Sequence, residues 1–211
     1  MGIAERRERD RERRRTDIID AAETIFFLKG VSNATMDDVA EAAELSKGTL
    51  YLYFKSKEDL YLAIVLRAIA ILQERFEAAA RSEERGAEKI TAIGRAYFEF
   101  CKTSPDYFNA MSYFESYIQD PEDDTGFGVE CTQQSVKTFA ICAEAVQAGI
   151  DDGSIRAGID PMKIALTLYG LSTGLLQIIS MKGKLIQENH GVNPDELIET
   201  FFELIDKSLR P

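Results

Sequence analysis

From Lys47 to Lys57 the chain places Lys47, Gly48, Thr49, Tyr51, Leu52, Tyr53, Lys55 and Lys57 in one short run directly after Ser46. Each of these types has a use against a nucleic-acid duplex. Gly48 lets backbone come close, Thr49 can bond a base edge or a phosphate, and Leu52 can pack on a thymine methyl. The hydroxyls of Tyr51 and Tyr53 can donate to phosphate oxygens, and Lys55 and Lys57 can neutralise phosphates just past a helix end. On this reading phosphates set the register, and Lys47, Thr49, Tyr51 and Leu52 carry any reading of base sequence. Taken singly, each residue also fits an ordinary half-buried or solvated position; as one run they do not.

Such a set needs a helix to present it. At ~100° per residue from a cap at Ser46, Leu50 and Phe54 fall together on a buried face, Gly48 and Leu52 point away from it, and Thr49 and Tyr51 flank them. Lys47 and Tyr53 lie toward the edges. The preceding helix starts at Thr35, whose hydroxyl can cap free backbone N–H groups, with Asp37 and Asp38 favoured in its first turn by the helix dipole. Its buried stripe is Met36, Val39, Ala40 and Ala43. Two capped helices across a tight turn at Glu44 and Leu45 form a helix-turn-helix. Before it, Ile18, Ala22, Ile25 and Phe26 mark a first packed helix from about Asp17, closed near Lys29 by Gly30 as C-cap.

The run from Lys47 to Lys57 resembles the signature of the tetracycline-repressor (TetR) family of bacterial one-component regulators. The specific match covers about residues 16 to 66, and the remainder is similar to the family in length and helical pattern. The resemblance implies an all-α homodimer: an N-terminal three-helix helix-turn-helix DNA-binding domain over residues 16–60, then a C-terminal helical ligand-binding and dimerisation domain over 61–211. It also implies double-stranded operator DNA and a small effector as partners. One position departs from the family pattern: where a turn glycine is usual, this chain has Glu44. A left-handed non-glycine residue there costs roughly 1 kcal/mol.

The 211-residue chain is 45% hydrophobic, enough for one large or two modest cores. Its net charge of −11 argues against a protein that coats nucleic acid indiscriminately. Residues 1–60 hold 11 basic against 13 acidic side chains, a net of −2, and residues 61–211 hold 14 against 23, a net of −9. Any DNA binding must therefore come from a local patch, away from the acidic body. The basic N-terminal arm, residues 1–15, interleaves Arg6, Arg7, Arg9, Arg11, Arg13, Arg14 and Arg15 with Glu5, Glu8, Asp10 and Glu12. It can follow a phosphate backbone or enter a minor groove, or it can be a solvated, self-paired helical extension. No hydrophobic run follows it, so it does not read as a signal peptide.

Beyond Ser56 the periodicity predicts a long helix to about Arg81, with Leu60, Ala63, Ile64, Ile71, Leu72, Phe76 and Ala79 as its stripe. Further helices open at Gly86 and at Pro105, and another runs from Val129 to Gly149, after a polar loop from Asp120 to Gly128. The aromatic centre of the chain lies here, and the effector is expected among Tyr97, Phe100, Met111, Phe114, Tyr117 and Phe139. From Ile164 to Met181 there are 18 residues without a charge. That length approaches a membrane span, but scattered Thr, Ser, Gln and Tyr residues make it an amphipathic helix instead. Gly170 and Gly174, four apart, let another helix come close. The last helix, announced by Asn193, Pro194 and Glu196, is apolar on two sides. It is expected to pair with its symmetry mate through Leu197, Phe201, Phe202 and Ile205, in a four-helix bundle with Gly170 and Gly174 of the helix before it.

An enzyme finds little support. The single histidine, His190, reads as an exposed bystander in a loop flanked by Asn189 and Gly191, and no Walker loop, dinucleotide fingerprint or paired-His metal motif occurs. Neither cofactor nor metal is expected. Asp120, Glu122, Asp123 and Asp124 with Gly126 only faintly resemble a calcium loop, and Cys131 at its twelfth position breaks the spacing. Cys101, Cys131 and Cys142 are an odd set without a secretion signal, which points to the reducing cytoplasm. The reading is then a cytoplasmic, ligand-responsive DNA-binding regulator, a repressor released from a palindromic operator by a small, largely apolar effector. The alternatives are a dimeric small-molecule-binding protein whose DNA-binding role has lapsed, and a regulator switched by cysteine oxidation.

Overall fold

The computed structural model describes residues 2–117 and 126–211, apart from the side chains of Ile3 and of residues 115–117. Among the described residues there are nine helices and no strand, so the all-α expectation holds. They are α1 Ile3–Lys29, α2 Met36–Ala42, α3 Lys47–Tyr51, α4 Lys57–Ser82, α5 Gly86–Thr103, α6 Pro105–Tyr117, α7 Gly126–Asp151, α8 Pro161–His190 and α9 Pro194–Leu209. They group into two compact units, one of Met1–Ala68 with Asp106–Thr132 and one of Ile69–Pro105 with Gln133–Pro211.

The first unit is built by its turns. Gly30 closes α1 at φ 76° and ψ 148°, a backbone position that only glycine adopts without strain, and its N–H reaches the Phe26 carbonyl at 2.9 Å. Thr35 caps α2 in a full capping box: its hydroxyl accepts from the Asp38 N–H at 3.2 Å, while Asp38 Oδ2 accepts from the Thr35 N–H at 2.9 Å and from its hydroxyl at 2.8 Å. Lys29 Nζ also reaches Asp38 at 2.7 Å. That bond first, and the Thr35 hydroxyl second, hold the Asp38 carboxyl down at about 2, so the cap keeps its charge across the working pH range.

Helix α2 ends in a Schellman turn. The Leu45 N–H bonds the Ala40 carbonyl at 2.8 Å, the Glu44 N–H bonds the Glu41 carbonyl at 3.0 Å, and Glu44 stands at φ 55°. The turn thus keeps its left-handed geometry without glycine and holds strain in a non-glycine residue. Glu44→Gly is expected to stabilise the protein by about 0.5–1 kcal/mol, the strain relieved minus the extra chain entropy of glycine. A urea midpoint that falls in this variant contradicts the account.

Burial then sorts the remainder of the unit. Ile18, Val39, Leu50, Leu60 and Ile64 are fully buried, so α1 to α4 close on one core. Arg67 of α4 bonds Asp20 at 2.6 Å and Glu23 at 3.0 Å, and the Tyr107 hydroxyl of α6 donates to Glu23 at 2.9 Å, tying three helices at one point. The first packed helix does not begin near Asp17; α1 runs unbroken from Ile3, because nothing in the arm breaks a helix and its arginines and glutamates are good helix formers.

In the second unit, α5 lacks a side-chain cap of its own. The α7–α8 turn supplies one, with Asp152 Oδ2 accepting from the Gly86 N–H at 2.8 Å and Ser154 Oγ from the Ala87 N–H at 3.1 Å. A side chain at Gly86 would meet the Gly149 backbone, which is why α5 and α7 can touch there. Asp160 caps α8 through Met162 and Lys163, with Pro161 in the first turn, and Asn193 with Glu196 forms the capping box of α9. Helix α8 is longer than the uncharged stretch predicts and ends only where Gly191 turns left-handed at φ 67°. His190 is therefore the exposed last residue of α8, not a loop residue.

Candidate nucleic-acid interface

Helix α3 is the second helix of the helix-turn-helix, and its two sides separate cleanly. Leu50 is fully buried and Phe54, just past its end, is 1% exposed, whereas Leu52 is 79% and Tyr51 43% exposed. Gly48 is exposed, with only Ser46 Oγ at 3.9 Å near where a side chain would stand, and Thr49 and Tyr53 are half-buried. Ser46 caps the helix: its Oγ accepts from the Thr49 N–H at 3.1 Å and shares a hydrogen bond with the Thr49 hydroxyl at 2.8 Å. The exposed Leu52, the C-cap of α3, and the exposed Tyr51 beside it put apolar and aromatic surface on the outer side of this short helix.

The flanking lysines divide. Lys55 is exposed. Lys47 pairs with Asp37 at 2.7 Å, and that bond raises its pKa; the pair is solvent-exposed and so worth little, leaving the ammonium easily recruited by a phosphate. Lys57 is not a free cation past the helix end. It is part-buried, and its ammonium donates to the carbonyls of Val31 at 2.7 Å and Ala34 at 3.2 Å, bracing the α1–α2 turn. Thr35 likewise spends its hydroxyl in the capping box.

Arg15 is the contact here that sequence reasoning missed. Its guanidinium lies 5.6 Å from the Phe54 ring and 5.1 Å from the Phe127 ring, and those rings stack at 6.0 Å. The run of arginines before it gave no signal that one of them packs. Phe127 falls in what the sequence reads as a polar loop, although α7 already begins at Gly126.

The expected effector residues fall in both units. In the second, Tyr97 and Phe139 both contact Tyr169, at 6.2 and 5.1 Å between centroids, and the Tyr97 hydroxyl meets that of Thr173 at 3.0 Å. Phe100 is fully buried beneath the Arg75 guanidinium. In the first unit, Phe114 is buried and Met111 half-buried. The side chain of Tyr117 lies outside the described residues, as does the acidic stretch of Asp120, Glu122, Asp123 and Asp124. A cleft of about 450 Å³ in the second unit is lined by other residues, among them Arg85, Glu88, Thr91, Arg95 and Asp206.

Of the residues expected between subunits, Gly170 is exposed and Gly174 has open space around it. Leu197 and Ile205 are half-buried. Phe201 and Phe202 pack inward on Phe98, at 5.6 and 5.5 Å, and Arg95 covers Phe202 while bonding Glu199 through both nitrogens at 2.9 Å. The exposed apolar residues of these two helices include Leu171, Ile178, Met181 and Leu185 of α8 and Leu204 of α9, at 51, 51, 79, 53 and 62%, with Met162 and Leu166 nearer the start of α8. With Gly174, the four from Leu171 to Leu185 follow a heptad seam. Helix α8 is long and apolar enough to cross a membrane, yet only 17% of that window is buried within the chain.

Burial pushes Cys101, Cys131 and Cys142 each up to about 12, so all three stay protonated thiols and lack the thiolate an oxidation switch uses. Among the described residues no group of acids, histidines or cysteines is placed to hold a metal ion.

Comparison with known proteins agrees with this architecture. The profile described as bacterial regulatory proteins, tetR family, matches residues 18–64. The HTH-type transcriptional activator FasR of Mycolicibacterium smegmatis is 30% identical over 161 residues, 76% of this chain and 68% of that protein. A crystal structure of a TetR/AcrR-family transcriptional regulator from Thermobifida fusca is 26% identical with a TM-score of 0.71, over 94% of this chain and 99% of that one. The fold is also shared with the transcriptional regulator FadR from Bacillus subtilis, solved in complex with stearoyl-CoA, at 19% identity and a TM-score of 0.70 over 92% of this chain and 99% of that one. With its helix-turn-helix matched by the family profile and most of its length matched by a named regulator, this chain belongs to the tetR family of bacterial transcriptional regulators.

Proposed function

We propose that the protein acts in the cytoplasm as a homodimeric repressor that binds a palindromic operator and is released by a small, largely apolar effector. Residues 16–60 are the DNA-binding part and 61–211 the effector and dimer part. The observation that carries the reading is the outward set of Gly48, Thr49, Tyr51 and Leu52 over a buried Leu50 and Phe54. Ser46 and Lys47 at the start of α3, Tyr53, Lys55 and the part-buried Lys57 after it, and Thr35 at the start of α2 complete the proposed DNA face. One such module reads a few base pairs, and two across a two-fold axis read half-sites about 10 bp apart or a multiple of it. The heptad seam of Leu171, Gly174, Ile178, Met181 and Leu185 supports the pairing, since a face that apolar needs cover.

The effector's apolar part is assigned to residues of the second unit drawn from Tyr97, Phe100 and Phe139. FadR, which shares the fold, was solved in complex with stearoyl-CoA, whose acyl chain is apolar. An effector that prefers the protein's DNA-free arrangement by roughly 1–3 kcal/mol weakens operator binding about 5- to 150-fold.

The test enriches duplexes from a random pool and measures affinity by fluorescence anisotropy. Thr49→Ala and Tyr51→Ala are each expected to lose about 1–3 kcal/mol of specific binding, roughly 10- to 100-fold; the thermal midpoint stays put for the exposed Tyr51 and falls only slightly for Thr49, whose hydroxyl shares one bond with the Ser46 cap. If no duplex is enriched, or if both variants bind as the unaltered protein does, the reading fails.

A further inference from the structure

The N-terminal arm is a helix, and that changes what it can do. As a sequence its charges interleave; wound at ~100° per residue they separate. Glu5, Glu8 and Glu12 gather within an arc of about 60°, while Arg6, Arg7, Arg9, Arg13 and Arg14 spread over a different arc of about 160° broken only by Asp10. Arg6, Arg9 and Arg13 lie opposite the line of Ile18, Ala22 and Phe26, the buried side of α1, while Arg7 and Arg14 stand toward its edge and Arg11 falls in line with it. Residues 4–14 are all exposed, and among the described residues none of the arginines from Arg6 to Arg14 takes part in an ion pair. The self-pairing that the interleaved sequence allows is not made.

A second observation fixes where this face begins. Arg15, the last of the run, is held over the rings of Phe54 and Phe127, and Phe54 follows Tyr51 by three residues. The arm therefore leaves the body beside the end of α3. From Ile3 to Arg14 it extends roughly 18 Å at 1.5 Å per residue, comparable with about five base pairs of duplex at ~3.4 Å each. A helix of ~10 Å diameter does not fit a minor groove ~6 Å wide, so a minor-groove arm is excluded while the segment stays helical.

We propose that the arginine face of the α1 extension lies along the phosphate backbone flanking the base pairs read by α3, adding a sequence-independent contact to the DNA site. The inference rests on the DNA-binding reading above. It resolves how an acidic protein holds DNA: the basic charge is concentrated in one helical arm, with seven arginines against four acids between Glu5 and Arg15.

The test compares Arg6→Ala/Arg9→Ala/Arg13→Ala with Glu5→Gln/Glu8→Gln/Glu12→Gln in the full-length protein. Affinity for an enriched duplex and for a random duplex is measured across salt concentration. Each phosphate contact contributes about 0.9 to the slope of log affinity against log salt, so the arginine triple is expected to flatten it by roughly 2.7 on both duplexes. The glutamine triple is expected to keep the slope of the unaltered protein. Thermal midpoints serve as the folding check, since residues 4–14 are all exposed. If the unaltered protein binds duplex and the arginine triple shows the same slope, this inference falls and the regulator reading stands. If the unaltered protein binds no duplex, both fall together.

Discussion

Ile178→Glu combined with Leu185→Glu is expected to yield a folded monomer whose operator affinity is about 100- to 10,000-fold below that of the unaltered protein. The two residues stand one heptad apart on α8, each about half exposed in the single chain, so the substitutions leave the protomer core alone. In a two-fold bundle they meet their own copies, and two glutamates per chain put four carboxylates into a seam built for apolar contact. Losing the partner removes one reading helix, and with it the gain from tethering two modest half-site contacts, a factor of about 10² to 10⁴. Sedimentation and anisotropy on an enriched duplex measure both effects. Val136→Glu, which charges an exposed apolar residue on α7 outside the seam, is the control and should change neither. A double variant that sediments as a dimer, or a monomer that holds operator as tightly as before, removes the basis for a two-fold reader.

The placement of that seam shows what the sequence could and could not convey. Apolar periodicity marked α8 and α9 as helices with an apolar surplus, because a helix with two apolar sides is visible in one strand of text. It could not say which side is spent internally. Phe201 and Phe202 are the larger residues and attract the eye, yet Phe98 of α5, about a hundred residues away in the chain, takes them both. What stays exposed is the less conspicuous set of Leu171, Ile178, Met181, Leu185 and Leu204. Helix ends behaved the opposite way. Gly30, Thr35, Ser46 and Asn193 mark them through bonds within a few residues, so local chemistry sufficed.

The same division runs through the proposed DNA face. The outward turn of Gly48, Thr49, Tyr51 and Leu52 follows from angular spacing alone and is where the structure has it. The engagement of Lys57 with Val31 and Ala34, and that of Arg15 with Phe54 and Phe127, join residues far apart in the chain. Spacing within one helix carries no information about them. Glu44 lies between the cases: its left-handed φ is what the Schellman turn requires, while its identity departs from what that geometry prefers.

Phe54→Ala is expected to destabilise the first unit by about 3–5 kcal/mol, against a total that for domains of this kind is about 5–15 kcal/mol. The ring is 1% exposed and stacks on Phe127 at an interplanar angle of 22°. Truncation therefore leaves a cavity walled by the Phe127 ring and the Arg15 guanidinium, a flat pair that cannot collapse into a void of that shape. Arg15→Ala, by contrast, removes a cation above a ring and a side chain that is only half-buried, worth about 0.5–1 kcal/mol. The ranking separates the two ways this cluster can support α3. If burial dominates, urea unfolding shows Phe54→Ala far below Arg15→Ala, and amide exchange in α3 accelerates in the first variant much more than in the second. If the cation dominates, the two variants come out alike. Near-equal midpoints, or a Phe54→Ala loss under about 1 kcal/mol, mean that α3 is held by its own cap at Ser46 and by Leu50 instead. The reading surface would then be a helix pinned at one end only.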